Sequence, residues 1–107
     1  MTYRLRFLPK VEEDVLAGCA WYGERGSGLG EEFLRMFYAC VGEIPKNPLL
    51  YRKVYREFRR RLMRRFPYAI YFRIKDNEVI VFGLFHCASD PRTTRSELRG
   101  RDEPERA

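Results

Sequence analysis

The chain has 107 residues, 45% of them hydrophobic and 15% aromatic, and carries 21 Lys and Arg against 15 Asp and Glu for a formal charge of +6. That length accommodates one domain, and that apolar content can fill its core, which excludes a wholly disordered chain. No apolar run reaches the ~18 residues of a membrane span, and Arg4 and Arg6 sit where a signal peptide needs an apolar stretch, so neither membrane insertion nor secretion is expected.

Thr2 to Leu8 alternates, with Tyr3, Leu5 and Phe7 on one side and Arg4 and Arg6 on the other, which predicts a half-buried strand. Pro9 breaks it and suits the opening of a helix. The spacing of Val11, Val15, Cys19 and Tyr22 predicts that helix over about Lys10 to Tyr22. Glu12, Glu13 and Asp14 near its start read as charges complementing the helix dipole rather than as an acid/base pair. Trp21 reads as a packing residue, with an exposed anchor for a partner as the other reading. After the connector Arg25-Gly26-Ser27-Gly28, a stripe of Leu29, Phe33, Phe37, Val41 and Ile44 predicts a second helix ending at Pro45. Two amphipathic helices joined this way form an antiparallel hairpin.

The remainder reads as sheet. Phe58 to Phe66 predicts a basic strand; Tyr68–Lys75 and Glu78–His86 flank the turn pair Asp76-Asn77 and predict a β-hairpin. Ile70, Phe72, Val79, Val81 and Phe85 join Phe33, Phe37 and Val41 as expected core. The order β-α-α-β-β-β gives an α+β fold, a helical hairpin on a four-stranded, mostly antiparallel sheet. A single domain is expected over residues 1–98, with 99–107 a polar, flexible tail.

The charge is concentrated. Residues 52–65 hold eight basic side chains and one acid, Glu57, for +7, while the segments before and after net −1 and zero. Such a run suits a polyanion, nucleic acid or acidic peptide, and its excess of Arg over Lys favours bidentate contacts; a solubilising surface is the plainer reading. Cys19, Cys40 and Cys87 are widely spaced and read as free thiols, and with His86 the only imidazole a metal site is not expected. His86 and Cys87 are adjacent in a strand and point to opposite faces, so they do not form a catalytic dyad; His86 reads as a hydrogen-bonded structural residue. No cofactor motif occurs. Cleavage of RNA by its own 2′-hydroxyl would need only a base, an acid and cations, which the Arg59–Arg65 stretch supplies.

The short strand, the hairpin with Gly28-Leu29-Gly30, the helix end Ile44-Pro45-Lys46-Asn47-Pro48, the run Phe66-Pro67-Tyr68-Ala69-Ile70-Tyr71-Phe72 and the ending His86…Asp90-Pro91 occur in an order that resembles the RelE/ParE superfamily of type II toxin–antitoxin toxins. RelE-like members commonly carry Arg directly after the Tyr of the third strand and just past the fourth; here those stretches are Ala69 and Cys87-Ala88-Ser89, and no Tyr follows Tyr71. The resemblance is therefore to the ParE-like branch. It implies a cytoplasmic toxin that poisons DNA gyrase and is neutralised by a cognate antitoxin whose C-terminal segment folds across it. Arg56, Arg59, Arg60, Arg61, Arg64 and Arg65 would form the target- or antitoxin-binding surface. The runner-up is a RelE-like, ribosome-dependent mRNA interferase with Arg64, Arg65 and Arg73 as phosphate clamps. A nontoxic binding module of the same fold is the third reading.

Overall fold

The computed structural model describes residues 3–106, with side chains through Asp102. Strand β1 (Arg4–Phe7) leads through Leu8 into helix α1 (Pro9–Arg25), with Pro9 in its first turn as expected. Helix α2 (Leu29–Glu43) follows Gly28, and 3₁₀ turns over Ile44–Lys46 and Pro48–Leu50 end the helical hairpin. Strands β2 (Lys53–Tyr55), β3 (Phe58–Leu62), β4 (Tyr68–Lys75) and β5 (Glu78–His86) then run in an antiparallel series, and helix α3 (Pro91–Arg106) follows. The sheet order is β1-β5-β4-β3-β2, with β1 parallel to β5. Thr2, Ala107 and the side chains beyond Asp102 lie outside what is described.

The hairpin packs as its stripe dictates. Phe33, Phe37, Val41 and Ile44 are buried against Val11 and Val15 of α1 and against Ile70, Phe72, Val79 and Val81 of the sheet, while Phe85 is half-buried beside this core. The helices approach closely because Gly30 faces α1: a Cβ there would lie 2.7 Å from the Cys19 carbonyl oxygen.

Four expectations need correction. The sheet has five strands, because Lys53–Tyr55 folds back on β3 through a two-residue turn in which Arg56 takes φ 51°. Three residues are too few to show an alternation. The basic strand ends at Leu62 rather than Phe66. The chain there turns tightly, with Arg65 at φ 74° and backbone bonds from Phe66 to Arg64 and from Tyr68 to Phe66. The expected tail from Arg99 is instead the second half of α3, which buries Leu98 and Thr94 against the sheet face opposite the hairpin. Trp21 is 48% exposed, with the Arg25 guanidinium 3.5 Å from its ring centroid.

What fastens so polar a helix is an ion pair. Strand β1 ends opposite Val81, so β5 has an uncovered edge beyond that point, and the β4–β5 register shifts between Tyr71 and Phe72. Asp14 of α1 and Arg101 of α3 meet at this edge, with bonds of 2.7 and 3.0 Å. Asp14 accepts the Leu84 N–H at 3.0 Å, and Arg101 donates to the Phe82 carbonyl at 2.9 Å. The backbone groups that β1 leaves unpaired are satisfied by the two side chains. Gly83 makes the room, since a Cβ there would lie 2.8 Å from Arg101 Nη1. Asp14 is thus not only a charge at a helix start: its side chain is 14% exposed and that of Arg101 8%. Burial alone would lower the Arg101 pKa, but the bonds to Asp14 and the nearby Glu97 outweigh it and raise the value.

Candidate functional site

The pleat of β3 divides the basic run between two faces. Arg59 and Arg61 are in register with Phe72 and Ile70 on the hairpin side, and Arg60 is in register with Tyr71 on the α3 side. Arg59 donates to the Tyr51 carbonyl at 2.6 Å. Arg61, its side chain 12% exposed, pairs with Glu43 at the end of α2. Arg64 reaches the same carboxylate at 3.1 Å, and Arg65 pairs with Glu32 of α2 at 2.7 Å. Bonds from Arg64, then Arg61, hold the Glu43 pKa below its ordinary value. Lys53 pairs with Glu57 at 2.9 Å.

Arg73 lies on the α3 side, 2.7 Å from Asp102 and 5.7 and 5.8 Å from the ring centroids of Phe58 and Phe82. Arg64, Arg65 and Arg73 are therefore not brought together: two bind α2 carboxylates and the third an α3 carboxylate across the sheet. Four of the run's eight basic side chains, Lys53, Arg61, Arg64 and Arg65, are held in ion pairs.

A different set converges under α3. A cavity of about 200 Å³ lies between the sheet and the helix, walled by Tyr55 of β2, Arg60 of β3, Tyr71 of β4, His86 of β5 and Arg95 and Leu98 of α3. The Arg95 guanidinium is 5.4 Å from the Tyr55 ring centroid, that of Arg56 5.2 Å, and Arg99 donates to the Tyr55 hydroxyl at 2.9 Å. Neither Arg60 nor Arg95 has a carboxylate partner among the described residues, and no Asp or Glu described lines the cavity. His86 Nδ1 accepts the Ala88 N–H at 2.9 Å, which leaves the proton of a neutral ring on Nε2. His86 is hydrogen-bonded, as expected, but exposed. The sequence reading missed Arg95 and Arg99; their spacing of four beside Leu98 was the available signal.

The helix that closes this cavity begins on Asp90, whose carboxylate accepts the Arg92 N–H at 2.9 Å and the Arg92 guanidinium at 3.2 Å. Those bonds, the backbone one first, hold the Asp90 pKa below its ordinary value. A depressed carboxyl stabilises the fold above its unfolded-state pKa, and that contribution is lost as pH falls through the folded-state value. In Asp90→Ala, the loss of thermal stability on acidification should be shallower than in the parent below about pH 4; parallel curves would refute a role for the cap.

On the hairpin side a second cavity, about 400 Å³, is lined by Phe7, Val15, Leu16, Leu34, Phe37 and Tyr38. Phe7, Leu16 and Tyr38 are 39%, 57% and 58% exposed, an apolar surface beside edge strand β1. Cys19, Cys40 and Cys87 are unbonded thiols, and burial raises the Cys19 pKa. Among the described residues no cluster has the makings of a metal site, and no helix is long and apolar enough to cross a membrane.

The architecture is that of the RelE/ParE toxins. A structure of the chromosomal ParDE toxin–antitoxin system from P. aeruginosa superposes with a TM-score of 0.68 at 16% identity, covering 79% of this chain and 96% of that one. A double-arginine mutant of E. coli toxin RelE in the free state gives 0.61 at 16% identity, over 94% and 98%. The RelBE2 toxin–antitoxin complex of Mycobacterium tuberculosis gives 0.54 at 17% identity, over 80% and 99%. In sequence, Toxin ParE2 of Mycobacterium tuberculosis is 24% identical over 102 residues, 94% of this chain and 97% of the relative. The profile of the family described as ParE toxin of type II toxin-antitoxin system, parDE, matches residues 5–91. The chain belongs to the ParE toxin family.

Proposed function

We propose that the chain is a gyrase-directed toxin, held inactive by a cognate antitoxin. Family membership carries this reading. The chemistry supports action by binding: Arg64, Arg65 and Arg73, the clamps of a ribonuclease reading, are each engaged with carboxylates. The antitoxin would use the hairpin side, where the apolar groove around Phe7, Leu16 and Tyr38 adjoins the outer edge of β1. An amphipathic segment that orders on contact can fill such a groove while adding a strand to the edge.

The test is a supercoiling assay with purified gyrase. Loss of supercoiling with accumulation of cleaved DNA, reversed by the antitoxin, is the expected result. A folded protein that leaves gyrase untouched but depletes mRNA on translating ribosomes would establish the interferase instead; activity in neither assay would leave a nontoxic binding module.

A further inference from the structure

We propose that the cavity beneath α3 is a binding site for the phosphodiester of a single-stranded nucleic acid, which the protein engages without cleaving. Its charged side chains are all cationic. Arg60 and Arg95 line it without a carboxylate partner among the described residues, Tyr55 and Tyr71 complete the wall between sheet and helix, and no acidic side chain among the described residues lines it. A cavity of about 200 Å³ so equipped fits a tetrahedral phosphate and little more of its strand.

A nucleic acid strand fits better than an acidic peptide. A peptide that folds on contact needs apolar surface, and the exposed apolar groove lies across the sheet at Phe7, Leu16 and Tyr38. Binding without cleavage follows from the lack of a base. No carboxylate among the described residues lines the cavity to take a proton from a 2′-hydroxyl, and His86 Nδ1 is already engaged by the Ala88 N–H. The site uses none of the gyrase reading and stands or falls separately from it.

The experiment is fluorescence anisotropy with a short labelled oligothymidylate and the matching oligouridylate, titrated at two salt concentrations. Arg60→Gln and Arg95→Ala should each weaken binding about tenfold and reduce the salt slope by about one. Arg64→Ala and Arg65→Ala, whose parent side chains are held by Glu43 and Glu32, should stay within about twofold of the parent. Equal affinity for the two strands would support phosphate recognition, and a preference for either would identify the source of the strand. The proposal is overturned if the folded parent binds neither strand, if Arg64→Ala or Arg65→Ala loses as much as Arg60→Gln, or if polyglutamate binds in place of both strands. Appearance of shortened oligouridylate would overturn binding without cleavage.

Discussion

Replacing Asp14 with alanine is expected to destabilise the domain by about 3–5 kcal/mol, the cost of leaving one member of a buried ion pair alone. The guanidinium of Arg101 would remain at 8% exposure with only the longer, 3.4 Å pairing to the more exposed Glu97, and the Leu84 N–H would lose its acceptor. Arg101→Ala should cost about as much by stranding the carboxylate and freeing the Phe82 carbonyl. Small domains have a total stability of roughly 5–15 kcal/mol, so either change brings the protein close to unfolding at ambient temperature. The double variant Asp14→Leu with Arg101→Met should recover much of the loss, because an apolar pair of similar volume leaves no buried charge. Urea midpoints compared at constant m-value provide the measurement. A single variant within 1 kcal/mol of the parent would show that water solvates this edge well enough to make the pair dispensable.

Phe33→Ala is the other large effect, expected at about 3–5 kcal/mol. The ring is fully buried and lies 5.3, 5.2 and 5.0 Å from the centroids of Tyr22, Phe66 and Tyr68. It also occupies the space a side chain at Gly18 would need, where a Cβ would come within 2.5 Å of the ring. The cavity it leaves is bounded by the hairpin on one side and the sheet on the other, so neither layer can close it without repacking the other. Phe33→Leu should cost less than half as much. Burial, first, and the neighbouring Tyr22 raise the Tyr68 pKa, so water entering the cavity should move that phenol back toward its ordinary range in an absorbance titration. A Tyr68 titration unchanged in Phe33→Ala would mean the core had closed over the gap.

The elements legible in the sequence were those whose periodicity reports burial on one side. The stripe from Leu29 to Ile44 and the apolar hairpin around Asp76-Asn77 fall where the sequence places them. What escaped was held by polar interactions. Helix α3 buries Leu98 and Thr94 and otherwise fastens through Arg101, Asp102 and Arg99, side chains that look in sequence like those of a solvated tail. Asp14 was hidden for the same reason, since a carboxylate near a helix start has a local explanation and its partner is 87 residues away. The site was half legible. The basic run stood out by composition, but composition does not say which cations are committed to Glu32 and Glu43, nor that Arg95 would line one cavity with Arg60.

The pairing of β1 with β5 sets an order in time as well as in space. Arg4 is made long before its register partner Glu78, and Asp14 must wait for Arg101. The helical hairpin needs only neighbouring segments and can close while the rest is still being made. The parallel strand pair, the covered edge and the cavity under α3 all depend on residues made late. A helical hairpin that forms first therefore has its sheet-facing side unprotected until β4 and β5 follow, and the basic cavity comes into being only as α3 docks.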